Sequence, residues 1–240
     1  MITSPVFGKY DELGAYHWEQ CDRRSRNYNP PLEARYAVVV RAARALGSVR
    51  RALDVGCGDG YLMAQLRAFV PELDGVDAEP RAIALAREKL EPLGGCHPQQ
   101  GSGYALPFGD AQFDLVTFTD VVEHLEQPQR ALAEIARVLS PGGSLLLTTP
   151  KFRPDRKWDP LHVMEYTPEQ LRATLAPHFS QVQLLYFWPL RWSNWYSTRI
   201  GWRLIKHYAR HLGNPFLETA PEPVARYGQM LAICRRSGLP

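Results

Sequence analysis

From residue 51 onward, short apolar runs alternate with helical patterns, and this alternation constrains the fold more than any other feature. The runs RALDV (51–55), LDGVD (73–77) and FDLVTFTD (113–120) are separated by helical stretches such as RAIALAREKL (81–90). Strands that alternate with helices in this way pair in parallel and carry helices on both faces of the sheet. The pattern therefore predicts a doubly wound α/β fold.

Four further segments complete the predicted sheet of seven strands, which is mostly parallel and has an antiparallel last strand. They lie at 96–100, 144–150, 182–187 and 227–236, with helices at about 61–69, 128–139 and 167–178. Two regions fall outside the alternation. Residues 1–50 hold two predicted helices, at about 14–26 and 31–46. Residues 189–226 form a long insertion, and connections of this length are usually functional or disordered.

The segment LDVGCGDGY (53–61) lies where the first strand gives way to a helix. Gly56 and Gly58 allow a ligand to approach the main chain closely. Asp77 ends the second strand, where a carboxylate can accept hydrogen bonds from both hydroxyls of a ribose. The dinucleotide fingerprint would require a glycine at the position of Tyr61. We therefore expect a ligand with a ribose but without a pyrophosphate.

Five motifs in order resemble those of class I S-adenosylmethionine-dependent methyltransferases. They are LDVGCGDG (53–60), LPFGDAQFDLV (106–116), TDVVEHL (119–125), LSPGGSLLLTTP (139–150) and HVMEYTPEQL (162–171). The resemblance covers about residues 50–188 and implies S-adenosyl-L-methionine as the cofactor and S-adenosyl-L-homocysteine as the product. It also implies one domain with a helical cap (1–50), a cofactor-binding core (51–188), a helical lid insertion (189–226), and a last strand with its tail (227–240).

The resemblance assigns cofactor contacts residue by residue. The methionine part would be held by Asp54, Gly56, Cys57 and Gly58, and Asp77 would bind the ribose with Ala78 against the adenine. Thr119 and Asp120 would face the methionine or the acceptor. Ser102 and Gly103 stand where the family usually has an Asp-Ala pair that touches the adenine amino group. This departure removes a charge-assisted contact, although a serine can still form a hydrogen bond.

Two histidines are candidates for the chemistry of the acceptor. A methyl group leaves an activated sulfonium readily, so the protein mainly positions the acceptor, but a hydroxyl acceptor also needs a base. His124 follows the fourth predicted strand, and His162 follows the fifth, close to Glu165. We consider all three as catalytic candidates. Packing near the cofactor for His124 and a helix-entry role for Glu165 remain alternatives.

The insertion contains a basic amphipathic pattern. Within 191–212 apolar residues recur every four positions, and cations fall along another side: Arg199, Arg203, Lys206 and Arg210. We predict one helix here. Three interpretations stay open: a cap helix over the acceptor pocket, a helix that binds a membrane surface, and a basic gate for an anionic acceptor.

Composition narrows the function classes further. The net charge of only +3 argues against a nucleic-acid partner. The four cysteines are dispersed and form no C-x-x-C pair, so they predict neither a metal site nor a disulfide framework. No apolar run approaches the roughly 18 residues that span a bilayer, and no secretory signal is apparent, so we expect a cytoplasmic protein. A homodimer and peripheral membrane contact are left open.

Together these features predict methyl transfer to a small-molecule acceptor, with a hydroxyl oxygen as the favoured target. A carbon or nitrogen acceptor, a lipid-linked or anionic substrate at the membrane surface, and a cofactor-binding protein without catalysis are the alternatives.

Overall fold

The structure, a computed structural model, describes residues 8–157, 159–222 and 224–236. Eight strands form one sheet: β1 (Arg51–Val55), β2 (Glu72–Asp77), β3 (Cys96–Gln100), β4 (Phe113–Thr119), β5 (Leu139–Pro150), β6 (Gln181–Pro189), β7 (Thr219–Ala220) and β8 (Tyr227–Arg235). Nine α-helices are described: α1 (Lys9–Leu13), α2 (Tyr16–Cys21), α3 (Pro30–Ala45), α4 (Tyr61–Leu66), α5 (Pro80–Leu90), α6 (Pro128–Val138), α7 (Pro168–Leu175), α8 (Leu190–Tyr196) and α9 (Gly201–His211).

The order of strands across the sheet is β3-β2-β1-β4-β5-β8-β6-β7. The pairs among β3, β2, β1, β4 and β5 are parallel, whereas β8 runs antiparallel to both β5 and β6. Both faces of the central strands are covered, since β1 and β4 are almost entirely buried. This explains why these strands read as continuous apolar runs rather than as alternating ones.

The predicted doubly wound α/β fold is confirmed, but the predicted count of seven strands is wrong by one. The extra strand, β7, has two residues and pairs antiparallel with β6 inside the segment interpreted as a purely helical insertion. A two-residue strand is too short to leave a period in the sequence. The predicted tail includes residues 237–240, which lie outside the described residues.

The insertion forms two helices, α8 and α9, rather than the single helix predicted over 191–212. Thr198 ends the first helix, because its hydroxyl accepts a hydrogen bond from the Gly201 amide at 3.0 Å and donates one to the Trp195 carbonyl oxygen at 2.8 Å. A side chain at Gly201 would collide with that same carbonyl group. The sequence pattern missed the break because a single glycine inside a helical pattern is often tolerated.

The apolar stripe with four-residue spacing faces outward on α9. Leu204 and Tyr208 are exposed, and the buried face carries Ile205 and Ala209 instead, with Ile205 packed in a cluster with Phe216. A four-residue repeat drifts around a helix with 3.6 residues per turn, so it does not mark one buried face. Membrane contact through this surface, or contact with a second copy, stays a prediction. Among the described residues, no helix is long and apolar enough to cross a bilayer.

The basic side of α9 contacts the segment after α2 at two points. Arg210 donates a hydrogen bond from Nη2 to the carbonyl oxygen of Ser25 at 2.6 Å. Lys206 lies one turn earlier, with Nζ at 3.5 Å from the Arg26 carbonyl oxygen. The cations that the sequence presents as one basic face therefore include two that help to attach the insertion to the N-terminal region.

Asn214 connects the insertion to helix α3. Its amide nitrogen donates to the Pro30 carbonyl oxygen at 2.7 Å and to Glu33 Oε2 at 2.8 Å, and its Oδ1 accepts from the Phe216 amide at 3.0 Å. The side chain is buried. Removal of a buried group that satisfies three partners is costly, because the partners stay desolvated.

We expect Asn214→Ala to lower the free energy of unfolding by about 2–4 kcal/mol, since one of the three lost hydrogen bonds involves a carboxylate. Urea denaturation measures this change. The matched control is Asn27→Ala, which removes an exposed asparagine and should cost less than about 0.5 kcal/mol. Equal costs for the two variants would contradict the role of Asn214.

Candidate functional site

A cavity of about 560 Å³ opens at the edge where the parallel strands end. In a doubly wound sheet this edge is the expected place for a ligand. Its walls come from the glycine loop after β1, the ends of β2 and β4, helices α1 to α3, the start of α8, and the segment that follows β5. Of the predicted lid, only Leu190 and Ser193 reach the cavity among the described residues, and α9 does not.

The glycine loop has the backbone conformation that the sequence predicts. Gly56 and Gly58 have φ angles of +77° and +54°, a region that side chains disfavour. A Cβ at Gly56 would collide with Val121, and one at Gly58 with the hydroxyl of Tyr10. The bare main chain of both glycines therefore forms part of the cavity wall.

Asp77 joins the glycine loop to the end of β2. Its Oδ2 accepts a hydrogen bond from the Gly58 amide at 2.8 Å, and its Oδ1 accepts one from the Glu79 amide at 2.9 Å. Burial raises the pKa of this carboxyl above its usual value, against the opposing effect of the backbone hydrogen bonds. Each carboxylate oxygen has a second lone pair that can receive a ligand hydroxyl.

Asp54 lies deeper in the cavity wall, at the end of β1. It is almost completely buried, and its Oδ1 accepts a hydrogen bond from the Thr117 hydroxyl at 2.7 Å. Burial raises the pKa of Asp54 to about 7. A cationic ligand group beside it would therefore stabilise a carboxylate that is costly to ionise.

The other predicted cofactor residues divide into two groups. Five of them line the cavity together with Asp54, Asp77 and the two glycines: Cys57, Ala78, Gly103, Thr119 and Asp120. Gly101, which was not predicted, lines it as well. Ser102 does not line it, and its hydroxyl accepts a hydrogen bond from the Tyr104 amide at 3.2 Å.

Asp120 ends β4 in a left-handed conformation, with φ of +51°. Its Oδ1 accepts a hydrogen bond from the Thr148 hydroxyl at 2.9 Å, and its Oδ2 lies 2.5 Å from Arg35 Nε. Arg35 comes from α3, in the N-terminal cap. The ion pair therefore fixes the cap to the strand edge beside the cavity, and nothing in the local sequence signals this partner.

The N-terminal cap also contributes a group of aromatic rings to the cavity wall. His17 stacks near Tyr16, with ring centroids 3.9 Å apart, and its Nδ1 lies 3.1 Å from the buried carboxylate of Asp59. Tyr10 and Tyr36 complete the group. The cap thus closes one side of the cavity with aromatic rings that also carry polar hydroxyl and imidazole groups.

The catalytic candidates come together at the cavity wall. His124 and His162 lie with ring centroids 4.9 Å apart. His162 Nδ1 is 3.0 Å from Glu165 Oε1, and Arg156 Nη2 contacts both oxygens of that buried carboxylate at 2.8 and 2.9 Å. His124 Nδ1 is 2.8 Å from the Leu161 carbonyl oxygen. Burial lowers the pKa of His124 and so favours its neutral imidazole.

Glu123 is a cavity residue that the sequence analysis did not single out. Its side chain is buried, and its Oε2 accepts a hydrogen bond from the Thr149 hydroxyl at 3.0 Å. Its backbone carbonyl oxygen accepts from the Val163 and Met164 amides, which brings the segment with His162 against the turn with His124. In the sequence VVEHL, the adjacent ionisable residues Glu123 and His124 could have indicated a site, but the same residues are equally typical of the start of a helix.

Residues 53–147 match the family model described as a methyltransferase domain. The O-methyltransferase cnsE of Penicillium expansum is 32% identical over 57% of this chain and 52% of its own length. A protein of Mycobacterium tuberculosis described as a probable S-adenosylmethionine-dependent methyltransferase is 30% identical over 59% of this chain and 52% of its own length. The chain therefore spans about half the length of these relatives.

Among solved structures, the N-methyltransferase NodS of Bradyrhizobium japonicum, in complex with S-adenosyl-L-homocysteine, shares the fold. Its TM-score is 0.64 at 19% identity, over 92% of this chain and 98% of that one. The sheet order and the cavity at the strand edge are those of a doubly wound α/β protein with its ligand site at that edge. The match over residues 53–147 identifies a methyltransferase domain of the class I S-adenosylmethionine-dependent type, and its cofactor is S-adenosyl-L-methionine.

The cavity fits this cofactor on its own chemistry. Gly56 and Gly58 present bare main chain to the cavity, and Asp77 presents acceptor oxygens to a ribose. The Thr119 hydroxyl and the Gln229 amide oxygen line the cavity and are buried without a hydrogen-bond partner in the part of the chain that is described. Such groups match a ligand that carries an ammonium and a carboxylate.

We expect Asp54→Asn to flatten the pH dependence of stability in the absence of cofactor. An aspartate with a pKa of about 7 in the folded protein and about 4 when unfolded binds its proton more tightly when folded. The free energy of unfolding therefore falls as the pH rises from 4 to 7, by up to about 4 kcal/mol for this group.

Urea unfolding at a series of pH values measures this slope. Asp77 and Glu123, whose pKa values burial also raises, should keep part of the slope in the variant. Asp110→Asn, at an exposed position away from the cavity, should retain the wild-type slope. Identical slopes in Asp54→Asn and wild type would contradict the raised pKa.

Proposed function

We propose that this protein transfers the methyl group of S-adenosyl-L-methionine to a hydroxyl oxygen of a small-molecule acceptor. One observation carries the proposal. The cluster of Glu123, His124 and His162 opens onto the same cavity as the cofactor residues. Imidazole and carboxylate groups are the ones that an acceptor hydroxyl needs in order to lose its proton.

The proposed cofactor position follows from the order of groups along the strand edge. Asp77 would accept hydrogen bonds from the ribose hydroxyls, with Ala78 and Gly103 toward the adenine. Ser102 would contribute only indirectly, because its hydroxyl accepts a hydrogen bond from the Tyr104 amide and does not line the cavity. The methionine part would extend over the backbone of the glycine loop toward Asp54 and the end of β4: Gly56, Cys57, Gly58, Thr119 and Asp120.

This position directs the methyl group toward the histidines. In the reaction the bond from the methyl carbon to the cofactor sulfur breaks as the bond to the acceptor oxygen forms, and S-adenosyl-L-homocysteine leaves as a neutral thioether. The proton of the acceptor hydroxyl leaves at the cluster of Glu123, His124 and His162. Glu165 acts as a positioning residue, because its carboxylate fixes the ring of His162. Holding the two reactants in line supplies most of the acceleration.

The acceptor pocket is bounded by the aromatic N-terminal cap and by described residues of the segment after β5: Arg153, Arg156, Asp159, Leu161 and His162. Arg153 and Arg156 line its outer part, which favours an acceptor with an anionic group. The relative cnsE is named an O-methyltransferase, which supports an oxygen target, whereas NodS is named an N-methyltransferase. The activity test must therefore distinguish a hydroxyl acceptor from a nitrogen acceptor.

We expect Asp77→Asn to weaken the binding of S-adenosyl-L-homocysteine by about 10- to 100-fold, because hydrogen bonds to a carboxylate contribute about 1.5–3 kcal/mol. Isothermal titration calorimetry measures the affinity. Asp110→Asn makes the same chemical change on the exposed surface and should leave the affinity within twofold of wild type. Unchanged affinity in Asp77→Asn would remove the proposed cofactor position.

We expect His162→Ala to lower kcat by about 10²- to 10⁴-fold, the usual contribution of a group that handles a proton in the transition state. The assay follows formation of S-adenosyl-L-homocysteine with a panel of phenolic, aliphatic hydroxyl, amine and thiol acceptors. The affinity for the cofactor product should stay within twofold.

The matched control for this variant is His178→Ala, a histidine that contacts Gln129 outside the cavity. It should keep wild-type turnover. Turnover of amines alone, with no hydroxyl methylated, would contradict the oxygen target. Cofactor binding without turnover of any acceptor in the panel would favour a non-catalytic protein.

A further inference from the structure

Three potential metal ligands meet on the acceptor side of the cavity. Glu123, His124 and His162 each offer a ligand atom, and these atoms all lie within 4.8 Å of one another. Two of the residues are neighbours in one turn of 3₁₀-helix, Val122–His124, and the third comes from a segment almost 40 residues away. The fold, not the local sequence, therefore assembles the set.

The hydrogen bonds around the two imidazoles fix their tautomer. His162 Nδ1 lies 3.0 Å from a carboxylate oxygen of Glu165, and His124 Nδ1 lies 2.8 Å from the Leu161 carbonyl oxygen. Both partners can only accept a hydrogen bond, so both Nδ1 atoms carry the proton and donate it. The lone pair of each neutral ring is then on Nε2, the atom that binds a metal in this arrangement.

Outer-shell contacts of this kind are typical of metal sites. A metal-binding histidine almost always donates its other ring proton to a carboxylate or a backbone carbonyl, and ligating carboxylates are themselves hydrogen-bonded. Here His162 has the carboxylate, His124 has the carbonyl, and Glu123 accepts a hydrogen bond from the Thr149 hydroxyl at 3.0 Å. Glu165 is in turn held by Arg156, so the support of His162 extends one residue further.

We propose that Glu123, His124 and His162 bind one divalent cation of the zinc and manganese class. Two imidazole nitrogens and one carboxylate form the ligand set of many catalytic zinc and non-haem metal sites, whereas Mg²⁺ prefers oxygen ligands alone. Zinc–ligand bonds of about 2.1 Å put tetrahedral ligand atoms roughly 3.4 Å apart. The ligand atoms, which lie within 4.8 Å of one another, therefore need to draw together by at most about 1.4 Å.

The ion deepens the proposed function, on which this part of the inference rests. Three protein ligands leave at least one coordination position open toward the cavity. An acceptor hydroxyl in that position has its pKa lowered by the ion, so it loses its proton to solvent water and attacks the methyl group as an alkoxide or phenoxide. The ion, rather than a bare imidazole, then prepares the oxygen, and acceptors with a second oxygen beside the hydroxyl should bind best.

The test measures binding of the metal alone to the full chain, produced without a histidine tag and stripped with a chelator. We expect one Zn²⁺ or Co²⁺ per chain by calorimetry, and the Co²⁺ complex should show the absorption bands of a nitrogen-ligated ion. His162→Ala and Glu123→Gln should each weaken binding by at least about 100-fold. Glu165→Gln, which changes only the outer shell, should weaken it by about 10- to 100-fold.

The matched control removes the other pair of adjacent histidines in the described residues. His207 and His211 lie one turn apart on α9, with ring centroids 4.7 Å apart. The double variant His207→Ala, His211→Ala should bind the metal as wild type does. Loss of binding in that variant, with binding retained in His162→Ala, would overturn the proposal and assign the ion to α9. Circular dichroism shows whether each variant is folded.

The two proposals fail separately. If stripped protein methylates hydroxyl acceptors at the full rate in chelator and binds no Zn²⁺, Co²⁺ or Mn²⁺, the metal site is wrong and the proposed function stands. If the ion binds through Glu123 and His162 but no acceptor in the panel is methylated, the metal site stands and the proposed function fails.

Discussion

Parallel pairing of β2, β1, β4 and β5 is the constraint on which the rest of this structure depends. Strands that run in one direction must end at one edge, so the loops that follow them meet there whatever their sequences. This brings the turn at Gly56, the carboxylate of Asp77, Asp120 and the segment with His162 around one cavity. Helices on both faces bury the sheet and keep that edge as the open side.

Buried carboxylates are the main cost of this arrangement. Asp54, Glu123 and Glu165 are each almost fully buried, and a buried charge is unfavourable unless hydrogen bonds or cations stabilise it. Glu165 has both, from Arg156 and His162. Asp54 and Glu123 each have a threonine hydroxyl, and burial raises their pKa values. A bound sulfonium cofactor and a bound metal ion would supply the missing positive charge at these two places.

The N-terminal cap closes the cavity through contacts between distant parts of the chain. Arg35 pairs with Asp120, and Asn214 joins α3 to the insertion. The cap therefore lies against both the cofactor edge and the helices α8 and α9. A change in the cap should consequently affect acceptor binding and stability together, which distinguishes it from the predicted lid, of which only the first residues reach the cavity.

The amino-acid sequence by itself determined the strands of the core, the left-handed glycine turn and the position of Asp77. These features follow from local rules: buried strands are apolar, positive φ favours glycine, and a parallel strand must end at the common edge. The break at Thr198 and the two-residue β7 were not predictable, because short or irregular elements leave no periodic signal. The buried face of α9 could not be read from the apolar repeat, because packing against α3 determines it.

Only the tertiary structure decided which side chains meet. The distance between His124 and His162, the ion pair of Arg35 with Asp120 and the inclusion of Glu123 all depend on contacts between residues far apart in the chain. Backbone pairing between distant segments brings such side chains together. For example, the Val163 and Met164 amides donate hydrogen bonds to the Glu123 carbonyl oxygen, which holds the segment with His162 against the turn with His124. Side-chain proximity of this kind is a property of the packed fold, because no local preference encodes it.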